Sequence, residues 1–259
     1  FTGLKGEPLL KTHNWDRNTQ GLHFADISAH QKFLIEKYGT DDEPSTSHKE
    51  VFFDIECEMG GALTEEYISN APKPITSIAW YDKQADWWSI VILDKKGQLK
   101  HTKTKNKEII PLRYEADLLD TFLNKMEEIQ PDILVGYNSD YFDIPYLFYR
   151  MCSVLGEKDA KRLSPIGVVK YKKNNQYWYK KDQFVDIAGV ESLDYMRLHK
   201  KYSWEDEPSW KLDSIGEKYV GINKIEYDGS LDRLFEEDIH TFIQYNFVDV
   251  EILVELDKK

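Results

Sequence analysis

One short segment, residues 51–56 (VFFDIE), constrains this chain more than any other. Its side chains alternate with the two-residue period of a β-strand, so the apolar residues at positions 51, 53 and 55 point to one face. Asp54 and Glu56 point to the opposite face. Carboxylates at positions i and i+2 of a strand lie about 6 to 7 Å apart. The segment therefore predicts a strand that carries two acidic side chains at a spacing suited to two adjacent cations.

Strand and helix patterns alternate along the rest of the chain. The runs at 74–81 and 86–94 are rich in β-forming residues, which predicts an antiparallel hairpin beside the first strand. Apolar residues at helical spacing predict a helix from Glu115 to Ile129. A strand at 133–135, a helix closed by Gly156, a strand-to-helix passage in ESLDYMRL and a helical C-terminus complete the pattern. This alternation is typical of an α/β fold.

Two polar segments are expected to lie outside the core. The lysine-rich tract from Lys95 to Lys107 predicts a solvated connection. Residues 168–187 predict a projecting β-hairpin that turns at positions 174 and 175. Its aromatic residues could stack on nucleic-acid bases or could simply pack the hairpin. These residues are Tyr177, Trp178 and Tyr179.

The N-terminal part of the chain differs from the rest. Residues 1–49 are polar and weakly periodic, and they end in turn-forming and charged residues that cannot supply a core. We therefore expect a boundary there, with residues 50–259 forming the main domain and residues 1–49 a linker or the tail of a preceding domain. Because the first residue is Phe1, we also expect the sequence to be a piece of a longer polypeptide.

Composition excludes several classes of protein. The 46 acidic residues outnumber the 34 basic ones and give a net charge of −12, which argues against binding of duplex DNA over the whole surface. The two cysteines, Cys57 and Cys152, form no CxxC pattern, so neither a disulfide framework nor a cysteine-built zinc site is expected, and a reducing compartment is favoured. No run reaches the ~20 apolar residues that a membrane span requires.

Acidic residues in three separate segments are expected to converge. Asp143 opens a helix directly after a short strand, at the rim where strand ends and helix starts gather. Tyr245 and Asp249, four residues apart, lie together on the flank of the terminal helix, and we expect them to be half-buried at a cleft. Converging carboxylates repel one another unless cations neutralise them, and oxygen ligands favour magnesium or manganese. Two such ions stabilise the attacking and leaving oxygens in phosphodiester cleavage.

Each of these features also has a plain structural interpretation. Asp54 and Glu56 could be a polar strand end, and Asp143 could be a partner of the helix dipole. Tyr245 and Asp249 could be a surface pair. The order and spacing of the three segments together favour the catalytic interpretation.

Three motifs carry a resemblance to a known family. FDIE at 53–56, GYNSDYFDIP at 136–145 and YNFVD at 245–249 resemble the three exonuclease motifs of family B DNA polymerases, most closely those of T-even-type phages. The likeness extends over roughly residues 50–259. It implies a ribonuclease-H-like fold: a mixed five-stranded sheet flanked by helices, with a projecting β-hairpin. It also implies a 3′-to-5′ proofreading exonuclease that releases a nucleoside 5′-monophosphate.

The resemblance also implies roles for individual residues. The ligands of two Mg²⁺ or Mn²⁺ ions would be Asp54, Glu56, Asp143 and Asp249. Tyr245 would position the attacking water, since the third motif has the tyrosine form and Gln244 stands where a histidine subgroup would have its histidine. Substrate contacts would come from Asn138, Phe142 and Leu63; of these, Phe142 is better explained by packing, and Leu63 is the candidate wedge against the terminal bases.

The implied partners are the single-stranded 3′ end of DNA and a polymerase domain on the same or a companion chain. The resemblance implies a monomer in the cytoplasm of a phage-infected or bacterial cell, with no membrane association. Motifs of a polymerase active site are absent from this sequence, so it should not add nucleotides. Two alternatives stay open: a non-catalytic lobe that binds 3′ ends or scaffolds a polymerase, and another ribonuclease-H-like nuclease that cuts internally.

Overall fold

The computed structural model describes residues 27–40, 48–58, 60–171, 185–203 and 207–259, together with residues 6, 8, 10, 12, 16 and 18–22. The chain divides into two compact units, Phe1–Ser47 and His48–Lys259. The first contains helix α1 (Ala29–Tyr38), which begins at Ser28 with a reciprocal capping box to Gln31. The predicted turn at 174–175 and Tyr177, Trp178 and Tyr179 lie outside the described residues.

The second unit is an α/β structure. Its strands are β1 (Glu50–Cys57), β2 (Ile75–Asp82), β3 (Trp87–Leu93), β4 (Thr102–Lys103), β5 (Lys107–Leu112), β6 (Ile133–Gly136), β7 (Val169–Tyr171), β8 (Val185–Ile187) and β9 (Glu191–Asp194). Its helices are α2 (Glu65–Asn70), α3 (Glu115–Ile129), α4 (Asp143–Val154), α5 (Glu157–Ala160), α6 (Tyr195–Tyr202), α7 (Leu212–Val220), α8 (Leu231–Glu237) and α9 (Ile239–Asp257), with a 3₁₀ turn at Lys161–Leu163.

Within the described residues, seven strands form one mixed sheet in the order β4-β5-β3-β2-β1-β6-β9. Strand β1 lies inside the sheet, antiparallel to β2 and parallel to β6. The predicted mixed sheet flanked by helices is confirmed, but it has seven strands instead of five. The two additional strands, β4 and β5, include part of the tract expected to be a solvated connection. Strand β4 has two exposed residues, so no alternation of apolar residues announced it.

Helices cover both faces of the sheet. On one face, α3 and α4 pack against the apolar side of β1, and Trp80 of β2 meets Phe122 of α3 edge-on at 5.6 Å between ring centroids. On the other face, α9 packs against Phe52 of β1 and its neighbours. Asp54 and Glu56 share the face of Phe52, because side chains alternate along a strand. The two acidic residues of β1 therefore face the terminal helix.

The predicted hairpin is present at its base. Strands β7 and β8 pair antiparallel, with Val169 opposite Ile187 and Tyr171 opposite Val185. Tyr171 packs against Phe148 and Tyr149 of α4, which attaches the hairpin to the body of the unit. Among the described helices, none is both long and apolar enough to cross a membrane.

Candidate metal centre

Three carboxylates meet between β1 and α9. Ligand oxygens of Asp54, Glu56 and Asp249 all lie within 4.8 Å of one another. The first two reach out from one face of the strand, and the third comes from the helix that packs on that face. Two of the predicted segments, separated by almost 200 residues of sequence, thus supply a single acidic cluster.

Asp143 lies beside this cluster but outside the tight group of three. It is the first residue of α4 and is buried, and its Oδ1 accepts a weak hydrogen bond from the backbone N–H of Ile55 at 3.4 Å. Its charge raises the pKa of both Asp54 and Glu56. The structure therefore places the fourth predicted carboxylate next to β1, within electrostatic reach of the other three.

Burial and mutual repulsion make the ionised form of this cluster costly. Burial first, and then the charges of Glu56 and Asp249, raise the pKa of Asp54 well above its ordinary value. Burial and Asp249 raise the pKa of Glu56 to about 8, and burial raises that of Asp143 to about 7. A cation placed among these groups would favour their ionised forms.

Asp249 itself fits a hard metal ion. Its side chain is 3% exposed, and its Oδ1 has no hydrogen-bond partner among the described residues. An unpaired buried carboxylate oxygen is unfavourable unless something binds it. All four acidic residues offer only oxygen ligands, the donor type that Mg²⁺ and Mn²⁺ prefer. The residues present therefore fit a divalent cation.

Tyr245 and Asp249 are more deeply buried than expected. The predicted half-buried pair is wrong in this respect, since Tyr245 is 9% exposed and Asp249 3% exposed. The reason is that α9 is covered on several sides, with Tyr227 meeting Tyr245 edge-on at 5.5 Å between ring centroids. Burial is also the main cause that raises the pKa of the Tyr245 hydroxyl, followed by the charge of Asp249, so the phenol stays neutral at physiological pH.

Lys224 belongs to the site, although the sequence did not reveal it. Its Nζ forms an ion pair with Oδ2 of Asp249 and a hydrogen bond with the hydroxyl of Tyr245 at 3.1 Å. Burial alone would lower the pKa of Lys224, but interactions with Asp249, Tyr245 and Asp54 together outweigh it, and the pKa lies above its ordinary value. Lys224 lies in the connection between α7 and α8, where no periodicity points to a functional role.

Two further polar residues, which were not predicted from the sequence, are linked to the cluster by hydrogen bonds. Nδ2 of Asn246 in α9 donates to Oδ2 of Asp54 at 2.6 Å. Oγ of Ser77 in β2 donates to Oδ1 of Asn246 at 2.7 Å. Ser77 and Asn246 are fully buried. The only signal available in the sequence was the position of Asn246 inside the third motif.

The second motif forms a tightly held loop between β6 and α4. Asn138 adopts a left-handed backbone conformation with φ +58°, and its N–H donates to Oδ1 of Asp194 at 2.9 Å. The N–H of Asp140 donates to Oδ2 of Asp194 at 3.3 Å. Phe142 packs against Tyr146 at 5.3 Å between ring centroids, in agreement with the expected packing role.

Leu63 lies in the loop after the first motif and is 43% exposed. Its backbone carbonyl accepts a hydrogen bond from the hydroxyl of Tyr141 at 3.1 Å, which ties this loop to the second motif. A cavity of about 510 Å³ opens beside Tyr245 and Lys224. It is lined by Tyr137, Asn138, Met196, Trp210, Lys211, Leu212, Asp213, Lys224 and Tyr245. The structure thus places Asn138 at an open space next to the acidic cluster.

Comparison with known proteins agrees with this arrangement. The sequence model of the DNA polymerase family B exonuclease domain matches residues 20–215. The DNA-directed DNA polymerase of Escherichia phage RB69 is 32% identical over 229 residues, which cover 80% of this chain and 25% of that protein. The DNA-directed DNA polymerase of Enterobacteria phage T4 is 38% identical over 149 residues, 58% of this chain and 16% of that protein.

More distant similarity extends to a cellular enzyme. DNA polymerase 1 of Saccharolobus solfataricus is 25% identical over 223 residues, 80% of this chain and 22% of that protein. The chain thus spans about a quarter or less of the length of these curated relatives. The family match covers most of the chain and includes the first two motifs, and the third motif supplies Asp249 to the same acidic cluster. The chain therefore belongs to the exonuclease domain family of family B DNA polymerases.

Proposed function

We propose that this chain hydrolyses the 3′-terminal phosphodiester of single-stranded DNA, releases a nucleoside 5′-monophosphate, and so proofreads for a polymerase domain on the same or a companion chain. The observation that carries this proposal is the cluster of Asp54, Glu56 and Asp249, whose ligand oxygens lie within 4.8 Å of one another. The family match and the phage polymerase relatives support it. Those relatives also support a site of action in the cytoplasm of an infected cell.

We propose two Mg²⁺ or Mn²⁺ ions as the cofactors, held by Asp54, Glu56, Asp143 and Asp249. Such ions would neutralise these carboxylates and stabilise the charge that develops on the attacking and leaving oxygens. Asp143 would complete the ligand set from the start of α4. Its backbone contact to β1 supports a fixed position beside the other three.

Tyr245 and Lys224 are the residues of this protein that would orient the attacking water. The neutral phenol of Tyr245 can donate to one oxygen and accept from another, which suits the orientation of the attacking water. Lys224 holds that hydroxyl at 3.1 Å and remains protonated beside Asp249. The pair therefore fixes the position of the water-orienting group at the edge of the cluster.

The substrate would enter through the open side of the site. Asn138 lines the cavity beside Tyr245 and would contact the terminal nucleotide, and Lys211 adds a positive charge there. Leu63 would contact the bases near the 3′ end, and Phe142 would support the site by packing against Tyr146. The net charge of −12 predicts weak intrinsic affinity for DNA, so capture should depend on the cations.

The test is digestion of a 5′-labelled single-stranded oligonucleotide in Mg²⁺ by the wild-type protein, Asp249→Asn and Glu251→Gln. Glu251 is the matched control because it is an exposed acid on the same helix. We expect stepwise shortening from the 3′ end by the wild type and Glu251→Gln. We expect Asp249→Asn to be slower by more than ~100-fold, since even supporting residues of metal ligands contribute about 10- to 100-fold.

Each other result refutes a part of the proposal. Digestion by Asp249→Asn at the wild-type rate would show that Asp249 is not part of the active site. A folded wild-type protein that binds 3′ ends without shortening them would be the non-catalytic lobe. Internal fragments as first products would identify an endonuclease.

A further inference from the structure

We propose that Asn246, oriented by Ser77, is a positioning residue that fixes the carboxylate of Asp54 for binding of divalent cations. The inference rests on the proposed metal-dependent function and adds two residues to its site. The side chains of Ser77, Asn246 and Asp54 form a continuous hydrogen-bonded chain of 2.7 and 2.6 Å. Neither Ser77 nor Asn246 has measurable solvent exposure.

These hydrogen bonds connect β1 and α9, the two elements that supply the cluster, with the neighbouring strand β2. Ser77 belongs to β2 and is paired across the sheet with Glu56 of β1. Asn246 belongs to α9, next to Tyr245 and three residues before Asp249. Asp54 belongs to β1. A contact that joins β2, α9 and β1 at the acidic residues fixes the distance between the strand ligands and the helix ligand.

The direction of the two hydrogen bonds follows from their chemistry. The metal-binding form of Asp54 is an ionised carboxylate, which only accepts hydrogen bonds, so the amide nitrogen of Asn246 faces Asp54 in that form. The amide oxygen then faces Ser77, whose hydroxyl can donate to it. A rotated amide would place its oxygen against the carboxylate and leave two buried acceptors without a donor.

A neutral donor has a particular advantage at this position. The carboxylates of Glu56 and Asp249 lie close to Asp54 and repel its ionised form, so that form needs stabilisation before a cation binds. A basic side chain at position 246 would supply that stabilisation but would also repel the incoming ion. Asn246 holds one oxygen of Asp54 without adding charge and limits rotation of the carboxylate. Supporting contacts of this kind affect metal affinity by about 10- to 100-fold.

The primary test is Mn²⁺ binding to the DNA-free protein, followed by electron paramagnetic resonance, for Asn246→Leu and Ser77→Ala. Leucine keeps the volume of asparagine but cannot donate to Asp54. We expect the Mn²⁺ dissociation constant to rise by about 10- to 100-fold in Asn246→Leu. We expect a smaller rise, by roughly 3- to 10-fold, in Ser77→Ala, the equivalent of one lost hydrogen bond.

The matched control is Ser89→Ala, because Ser89 is a serine of the adjacent strand β3 that is 1% exposed. Ser89→Ala should bind Mn²⁺ with the affinity of the wild type. This result would show that the loss of a buried hydroxyl does not by itself weaken Mn²⁺ binding, and that the Ser77 hydroxyl has a specific role. If Asn246→Leu does not fold, Ser77→Ala against Ser89→Ala decides the question.

A second measurement separates positioning from general damage. The Mg²⁺ concentration for half-maximal exonuclease activity should rise together with the Mn²⁺ dissociation constant, while the rate at saturating Mg²⁺ is largely restored. Unchanged Mn²⁺ affinity in Ser77→Ala and in folded Asn246→Leu overturns the inference and leaves the proposed function standing. The proposed function fails instead if the wild-type protein binds Mn²⁺ at this cluster but does not shorten DNA.

Discussion

At the scale of single residues, the site is an incompletely compensated set of charges. Lys224 forms an ion pair with Asp249, and its charge also lowers the pKa of Asp54 and Glu56, but neither of those two residues forms an ion pair of its own among the described residues. The raised pKa values of these two residues follow first from burial and then from repulsion by the neighbouring carboxylates. Because Lys224 is the cation at the cluster, its removal should expose how strongly the carboxylates repel one another.

We expect Lys224→Met to destabilise the metal-free protein by about 2 to 3 kcal/mol, because it leaves the buried Asp249 carboxylate unpaired while the partly exposed lysine limits the effect. Mg²⁺ should reduce the difference in the free energy of unfolding between Lys224→Met and the wild type, since a divalent ion replaces the missing positive charge. Urea unfolding in EDTA and in Mg²⁺ measures both effects. Lys158→Met removes an exposed lysine and is the control. Wild-type stability of Lys224→Met in EDTA would contradict the account.

Tyr245→Phe tests the hydroxyl separately from the ring. Phenylalanine keeps the edge-on packing against Tyr227 but loses the group that Lys224 binds. We expect little change in stability and a fall of roughly 10- to 100-fold in the exonuclease rate at saturating Mg²⁺, the size expected for a misplaced reactant. A wild-type rate would show that the hydroxyl does not orient the water.

The sequence identified the residues whose positions follow from local periodicity. Asp54 and Glu56 followed from strand alternation, Asp143 from a strand-to-helix junction, and Asp249 from its place on a helix. Lys224 and Ser77 could not be identified in this way, because each contacts the site only after distant segments pack together. The burial of Tyr245 depended in the same manner on Tyr227, which lies in a segment without regular structure.

At the scale of elements, the second-motif loop depends on the junction of β9 and α6. Asp194 caps α6 through the N–H groups of Met196 and Arg197, and the same carboxylate accepts from the N–H groups of Asn138 and Asp140. Asp194 therefore has a structural role, since it joins the second-motif loop to the start of α6. Since this loop leads directly into α4, one side chain positions the segment that delivers the fourth carboxylate.

We expect Asp194→Ala to lower the free energy of unfolding by about 1 to 2 kcal/mol, the usual contribution of an N-cap, and to reduce exonuclease activity as well. Ser230→Ala is the matched control, because Ser230 caps α8 through the N–H of Arg233 and makes no described contact with the loop. Thermal unfolding should show similar destabilisation in both variants. The digestion assay should show reduced exonuclease activity in Asp194→Ala only. Equal activity in both would show that the loop does not need Asp194.

Element prediction succeeded where one face of a strand is apolar. Runs of β-forming residues predicted strand β1 and the pair β2–β3. An apolar stripe at helical spacing predicted helix α3. Strand β4 was missed because it is two residues long and exposed, and β5 because it follows a lysine-rich tract. Both strands are held by backbone pairing to their neighbours in the sheet, a contact that leaves no pattern in the side chains.

At the scale of the whole molecule, the buried carboxylates couple stability to pH. Glu56 has a pKa raised to about 8 and Asp143 one raised to about 7, so the folded protein retains protons that the unfolded chain has released. Stability that depends on these protons is complete at pH values below about 4 and is lost as the pH rises towards 8. A bound divalent ion should oppose this loss.

We therefore expect the melting temperature of the EDTA-treated protein to fall between pH 5 and pH 8, and to fall less in Mg²⁺. Glu56→Gln removes one of the titrating groups and should flatten the curve, because its side chain stays neutral at every pH. Differential scanning calorimetry of both proteins measures this. A melting temperature that rises with pH equally in the two proteins would contradict the assignment of buried, repelling carboxylates.

The proposed function depends on one divalent-cation site formed by acidic residues of β1 and α9. Anomalous diffraction at the manganese edge, from crystals of the protein soaked in MnCl₂, tests it most directly. We predict anomalous density in contact with oxygens of Asp54, Glu56 and Asp249. Manganese bound elsewhere, with no density between these three carboxylates, would contradict the claim.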